Sequence, residues 1–303
     1  MTQPAPKTVV ETTEAYVEVD GGTRLWYRRT GEGPALVFQN GLGVTITFWE
    51  SMAARFARKG YTTLLWDYRG HGRSDPPRDP SGMSLEICRD DLAAVLDANG
   101  IERACLLGHS MGSQLGFEFF RKYPGRVTGL VPTLGTYRKA LSTFWGRPRA
   151  AELVYAVARF GALECPRLAR FCTGLAAANP RLSDLLVRRL QIVHPTLSPR
   201  DWLPPYLEHM AALDLRVFFS LAGAIKDHDA SDVLPRIDVP TLVIAGDRDF
   251  FCPPKVAREM AEQIPGAELL LVPGGSHAAT IEQPELIDLR LEKFLEERVY
   301  PPA

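Results

Sequence analysis

Gly108, His109, Ser110, Met111 and Gly112 carry the strongest chemical signal in the chain. They follow the apolar run Ala104 to Leu107 and precede a segment holding Leu115, Phe117, Phe119 and Phe120, which closes at Tyr123-Pro124-Gly125. A strand that turns sharply into a helix at a serine lifts that hydroxyl out of the regular backbone, where a base and hydrogen-bond donors can reach it. The glycines fit the same geometry, because a side chain at Gly108 or Gly112 would collide with the crowded turn. Ser110 is therefore read as a nucleophile.

A serine hydroxyl is a weak nucleophile until a base takes its proton, and the imidazole that does so needs a carboxylate to fix its tautomer. Of the six histidines, His277 ends the stretch Val272-Pro273-Gly274-Gly275-Ser276-His277, directly after an apolar run expected to be the last strand. Loops after parallel strands gather at the carboxyl edge of a sheet, where Ser110 also emerges, so His277 is the expected base. His109 adjoins the serine on a turn that points neighbours apart and is expected to shape the site. His71 is expected to serve local structure, and His194, His209 and His228 to be helix-surface or hinge residues.

Two carboxylates follow the apolar run Thr241 to Ala245, in Gly246-Asp247-Arg248-Asp249. The other location for an acid, the loop after Leu134, holds no Asp or Glu before Glu152. Asp249 is the expected acid, because two more residues carry it off the strand end toward the histidine loop. Asp247 is the alternative, expected otherwise to tie down the turn. The oxyanion of a tetrahedral intermediate needs main-chain N–H donors, one from Met111 after the nucleophile. The second is expected from Leu42, in the glycine-rich Gln39-Asn40-Gly41-Leu42-Gly43. This chemistry calls for no metal and no cofactor.

The elements that would hold these residues follow from apolar patterning. Ala15 to Val19 and Arg24 to Arg28 alternate about Asp20-Gly21-Gly22 and predict a hairpin. Ala35 to Phe38, Thr62 to Trp66, Ala104 to Leu107 and Thr128 to Leu134 are continuously apolar, as strands covered on both faces are. Helices are expected around Phe48 to Lys59 and Leu85 to Asn99. The alternation resumes with Thr241 to Ala245, a helix from Pro254 to Gln263, the strand Glu268 to Val272, and a last helix with Ile287, Leu291, Phe294 and Leu295 on one face.

Between Thr136 and Asp232 the rhythm breaks. Helical patches such as Leu182, Leu185, Leu186, Leu190 and Val193 are separated by prolines, which predicts an inserted helical cap. The expected division is core 1–135, cap 136–232 and core 233–303. The cap has 13 Lys and Arg against 9 Asp and Glu, an excess of 4 that hints at anionic substrates at most, solvated arginines on helices being the commoner reading. Its aromatics Phe144, Trp145, Tyr155, Phe160, Phe171, Trp202, Tyr206, Phe218 and Phe219 would suit an apolar substrate group or form the cap's own core.

A net charge of -1 over 303 residues gives no reason to expect a nucleic acid partner. Met1 to Lys7 lead into a polar stretch without an apolar signal-like run, and no run approaches the roughly 18 residues of a membrane span, so no membrane span and a cytoplasmic location are expected. Five scattered cysteines, Cys88, Cys105, Cys165, Cys172 and Cys252, are expected to be buried apolar side chains.

Taken together, Asn40 to Gly43, Asp67-Tyr68-Arg69-Gly70-His71-Gly72-Arg73-Ser74, Gly108 to Gly112, Pro240 to Asp249 and Gly274 to His277 resemble a capped member of the α/β-hydrolase superfamily, of the serine esterase and lipase-like kind. The resemblance covers nearly all of the chain after about residue 14. It implies an α/β fold with a mostly parallel eight-stranded sheet flanked by helices and an inserted helical cap. The superfamily's order of nucleophile, acid and histidine matches Ser110, Asp249 and His277. Many relatives carry His-Gly where this chain has Asn40-Gly41, which leaves the main-chain donors intact and changes only the side chain behind them. The implied activity is hydrolysis of a small-molecule carboxylic ester with an apolar portion. Carbon–carbon bond hydrolysis, lactone or thioester cleavage, and slow-turnover ligand binding remain alternatives on the same machinery. Oligomeric state is not legible.

Overall fold

The structure, a computed structural model, describes residues 10–189 and 192–301, with only the backbone of Trp145. Met1 to Lys7, Leu190 and the Trp145 ring therefore lie outside the described residues. The elements are β1 (Thr12–Val19), β2 (Thr23–Thr30), β3 (Ala35–Gln39), α1 (Glu50–Arg58), β4 (Thr62–Trp66), α2 (Leu85–Ala98), β5 (Ala104–His109), α3 (Met111–Lys122) and β6 (Val127–Thr133). Five helices follow: α4 (Pro148–Glu164), α5 (Pro166–Ala178), α6 (Pro180–Arg189), α7 (Leu203–Ala212) and α8 (Leu215–Asp227). The chain then returns through β7 (Leu242–Gly246), α9 (Pro254–Gln263), β8 (Glu268–Val272), α10 (Ala279–Glu282) and α11 (Pro284–Phe294).

The eight strands form one sheet in the order β1-β2-β4-β3-β5-β6-β7-β8. The hairpin is antiparallel, with Glu18 opposite Arg24, and β2 runs antiparallel to β4; every later pairing is parallel. This is the α/β-hydrolase fold expected from the sequence. The central strands are fully buried because both faces are covered. Val37 and Leu106 face a core built with α2, α3 and α9, while Leu36, Phe38 and Leu107 face one built with α1 and α11.

Strand order reverses between β3 and β5, which are neighbours although β4 intervenes in sequence. A crevice opens outside the carboxyl ends of strands at such a reversal, so the loops leaving β3 and β5 meet. Those loops carry Asn40 to Gly43 and Ser110.

Several boundaries differ from the sequence reading by a residue or two. Ile46–Phe48 is a separate 3₁₀ turn before α1, and Leu134 leaves β6 at φ 50°. β8 is the sheet edge and is only half-buried along most of its length. Cys88, Cys105 and Cys252 are buried as expected, but Cys165, just before α5, and Cys172, in α5, are exposed, and α5 buries no side chain. Among the described residues no helix is long and apolar enough to cross a membrane.

Candidate active site

Ser110 sits between β5 and α3 at φ 53°, ψ -112°, a backbone conformation that L residues rarely adopt. The local sequence makes this turn possible. A Cβ at Gly108 would lie 2.2 Å from the Gly112 carbonyl oxygen, and one at Gly112 would lie 2.4 Å from that of Gln39. The turn is fixed by the Ser110 N–H donating to the Thr133 carbonyl at 3.0 Å and by the Ser113 hydroxyl donating to that of Gly108 at 2.7 Å.

His277 arrives from the loop after β8, and its Nε2 stands 3.0 Å from Ser110 Oγ. Its Nδ1 stands 2.8 Å from Asp249 Oδ2. With Nδ1–H donating to the carboxylate, Nε2 is the nitrogen with a lone pair toward the hydroxyl. Asp249 is buried, and its Oδ1 accepts the Phe251 and Cys252 N–H groups, both at 2.9 Å, which fixes the carboxylate plane. Asp247 is exposed, and its carboxylate makes no hydrogen bond among the described residues; only its main-chain N–H binds, to the Val272 carbonyl. The side chain thus does not tie down the turn, contrary to the sequence reading.

The loop after β3 closes on the same point. A Cβ at Gly41 would lie 2.7 Å from His109 Nδ1 and 3.4 Å from Ser110 Cβ, so only glycine permits this approach. Neither Leu42 nor Met111 donates its N–H to another group among the described residues. Behind them Asn40 is fully buried, with its Nδ2 donating to the Trp66 carbonyl at 2.9 Å and its own carbonyl accepting the Tyr68 hydroxyl at 2.7 Å. Asparagine therefore anchors the loop where many relatives place histidine.

His109 is buried beside Ser110. Its ring lies tilted between those of Phe48, at 4.2 Å, and His277, at 5.0 Å, and its Nε2 lies 3.0 Å from the His277 carbonyl oxygen. Burial, reinforced by the neighbouring His277, lowers its pKa from 6.5 to about 3. Below pH 6.5 the unfolded chain binds a proton here that the folded chain refuses, so stability falls on acidification until about pH 3. Between pH 7 and 5 the wild type is expected to lose about 2 kcal/mol more than His109→Gln, by urea denaturation at both pH values.

His71 is also buried, with Nδ1 3.2 Å from the Arg69 carbonyl oxygen, and burial lowers its pKa to about 4. Of the helix-surface and hinge places expected for it, His228 does not take the first: it is buried against Glu118, Nε2 to Oε1 2.9 Å, after α8.

Sequence reasoning missed Glu282. This buried carboxylate in α10 accepts four hydrogen bonds: from Ser276 N at 3.0 Å and Oγ at 2.6 Å, from His194 N at 2.7 Å, and from Ser198 Oγ at 2.7 Å. It joins the residue preceding His277 to the segment between α6 and α7. The only signal was one acidic residue within the otherwise uncharged Ala278 to Gln283. Glu282→Ala frees Ser276 and is expected to lower kcat about ten- to a hundredfold with little change in KM. Glu282→Gln retains an acceptor for three of the four donors and is expected to recover most of the rate, measured on one soluble ester.

Aromatic side chains border the relay. Phe251 lies 4.9 Å from the His277 ring and 5.0 Å from Phe144. Met210 and Phe218, from α7 and α8, pack on Gly43, where a Cβ would meet them at 2.6 and 3.3 Å. Phe160 and Phe171 point away into solvent, each 66% exposed, so they belong neither to this surround nor to a cap core. Two open surface depressions, one between Arg29 and Arg103 and one beside Arg69 and Asp91, share no residue with the site.

Asp249, Cys252 and His277 bring ligand-type atoms within 4.8 Å of one another. Both Asp249 oxygens already accept hydrogen bonds, and burial with the nearby Asp249 charge pushes the Cys252 thiol well above its ordinary pKa, away from the thiolate a metal would need.

Comparison with known proteins agrees with the fold. A family model described as the alpha/beta hydrolase fold matches residues 34–167, and one described as TAP-like protein matches 224–302. A putative carbamate hydrolase, RutD, from Caulobacter sp. (strain K31) is 28% identical over 292 residues, spanning 92% of this chain and 95% of that one. The enol-lactonase from Burkholderia xenovorans LB400 superposes with a TM-score of 0.71 at 26% identity, over 93% of this chain and all of its own length. A bromoperoxidase from Bacillus anthracis reaches a TM-score of 0.77 at 19% identity, over 94% of this chain and 100% of that one, a likeness of fold.

Proposed function

The chain belongs to the α/β-hydrolase superfamily, and from that premise we propose that it hydrolyses carboxylic esters through an acyl-enzyme on Ser110. The observation that carries this reading is the unbroken relay from Ser110 Oγ to His277 Nε2 at 3.0 Å and from His277 Nδ1 to Asp249 Oδ2 at 2.8 Å.

Ser110 Oγ attacks the ester carbonyl carbon while His277 Nε2 takes the hydroxyl proton. The carbonyl π pair moves onto oxygen, and the Leu42 and Met111 N–H groups hold the oxyanion. Collapse of the intermediate breaks the bond to the alcohol oxygen, which leaves with the proton from His277. Water then attacks the acyl-enzyme, His277 takes its proton, and the second collapse frees the acid and returns the proton to Ser110. Asp249 keeps the imidazole in the working tautomer and stabilises its charged form.

Residues 136–232 form the cap of this reading, since Met210 and Phe218 cover the oxyanion loop. The apolar surround of Phe144, Phe251, Phe218 and Met210 favours an apolar acyl or alcohol group. Initial rates on p-nitrophenyl esters of increasing acyl length, beside a lactone, a carbamate and a vinylogous diketone, test the assignment. The esters are expected to give the highest kcat/KM. A preference for the diketone by orders of magnitude would replace ester hydrolysis with carbon–carbon cleavage.

A further inference from the structure

Helices α4, α5 and α6 present apolar stripes to solvent. On α4, Leu153, Val157 and Phe160 recur at helical spacing and are 65%, 63% and 66% exposed. On α5 the stripe is Leu168, Phe171 and Leu175, and on α6 it is Leu182, Leu185 and Leu186, all exposed. Neither α5 nor α6 has a buried residue, so these stripes are not the core-facing sides of the helices. The opposite side of α4 holds the inward contacts: Ala151 and Ala162 are buried, and the Tyr155 hydroxyl reaches the Phe219 carbonyl at 3.5 Å. α5 packs against both α4 and α6, and soluble surfaces rarely leave large apolar patches without a partner.

The charge around these stripes identifies the partner. Residues 147–189 contain eight arginines against Glu152, Glu164 and Asp184. Arg188 is bound to Asp184, while the other seven make no ion pair among the described residues. Elsewhere in the chain most arginines are paired, as Arg28 is with Glu14 and Glu50 and Arg69 with Asp91. Arg167 and Arg181 flank the α5 and α6 stripes by helical position, and Arg189 falls within the α6 stripe. A symmetric contact with a second copy would set this cationic face against itself, which is costly. A bilayer of anionic phospholipid offers both halves of the complement, headgroup charge for the arginines and an acyl boundary for the leucines and phenylalanines.

We propose that α4 to α6 form an interfacial surface by which the protein adsorbs to anionic phospholipid bilayers without spanning them. The stripes lie in the headgroup and acyl boundary, and the arginines bind lipid phosphates.

Co-sedimentation of the full chain with phosphatidylcholine vesicles, with and without about one third phosphatidylglycerol, tests this. Partitioning is expected to be at least about tenfold stronger with the anionic lipid, and to weaken at high salt. Phe160→Ser with Phe171→Ser changes only exposed side chains, so folding and hydrolysis of a soluble ester are expected to persist while partitioning drops about tenfold. Arg167→Glu with Arg170→Glu is expected to remove the preference for the anionic vesicles. The proposal is overturned if neither vesicle sediments the protein, or if both do so equally and the serine variant makes no difference. It is likewise overturned if the wild type is a dimer that the serine variant converts to a monomer and lipid binds neither.

Discussion

Ser110→Ala is expected to lower kcat on a p-nitrophenyl ester by about 10⁴- to 10⁶-fold while the melting temperature stays within a few degrees of wild type. The size of the loss follows from the sequence of bonds: without Oγ no acyl-enzyme forms, and His277 and the oxyanion donors can act only on a direct attack by water. The fold should persist because alanine keeps the Cβ already accommodated at φ 53°, and the turn is held by main-chain and Ser113 contacts. Turnover at the wild-type level in this variant would place the activity elsewhere.

Asp249→Asn is expected to cost about 10³- to 10⁴-fold in kcat, and Asp247→Asn no more than about twofold. Asparagine can keep its carbonyl oxygen on the Phe251 and Cys252 N–H groups, and its amide nitrogen then faces His277 Nδ1. That contact favours the tautomer with hydrogen on Nε2, which cannot take the serine proton. The exposed Asp247 has no such contact to lose. Kinetics of the two variants side by side separate two aspartates that the sequence could only rank.

What the sequence could rank, and what it could not, depends on how local the physical signal is. The strand before Ser110 and the glycines around it lie within nine residues, and a tight turn imposes its demands on that short stretch. His277 could be chosen among six histidines because loops after parallel strands share one edge of the sheet. Asp249 follows from its distance off the strand, but its burial and its N–H donors appear only in three dimensions. Glu282 was illegible, because its partners Ser198 and His194 lie more than 80 residues away. The edge position of β8 was also illegible, since a short apolar run reads alike with a strand on one side or on both. Helical periodicity through Leu182, Leu185 and Leu186 predicted α6, although Val193 lies beyond its end, and it could not say that the apolar sides of α5 and α6 face outward.

The central claim is that Ser110 is activated by His277 to form a covalent intermediate. Intact-mass measurement of the wild-type protein after treatment with a fluorophosphonate, followed by peptide mapping, tests it most directly. The account predicts one adduct per chain, carried on Ser110, with ester turnover lost in proportion to labelling. Full loss of turnover with the adduct on another residue, or persistent turnover with Ser110 fully labelled, would contradict it.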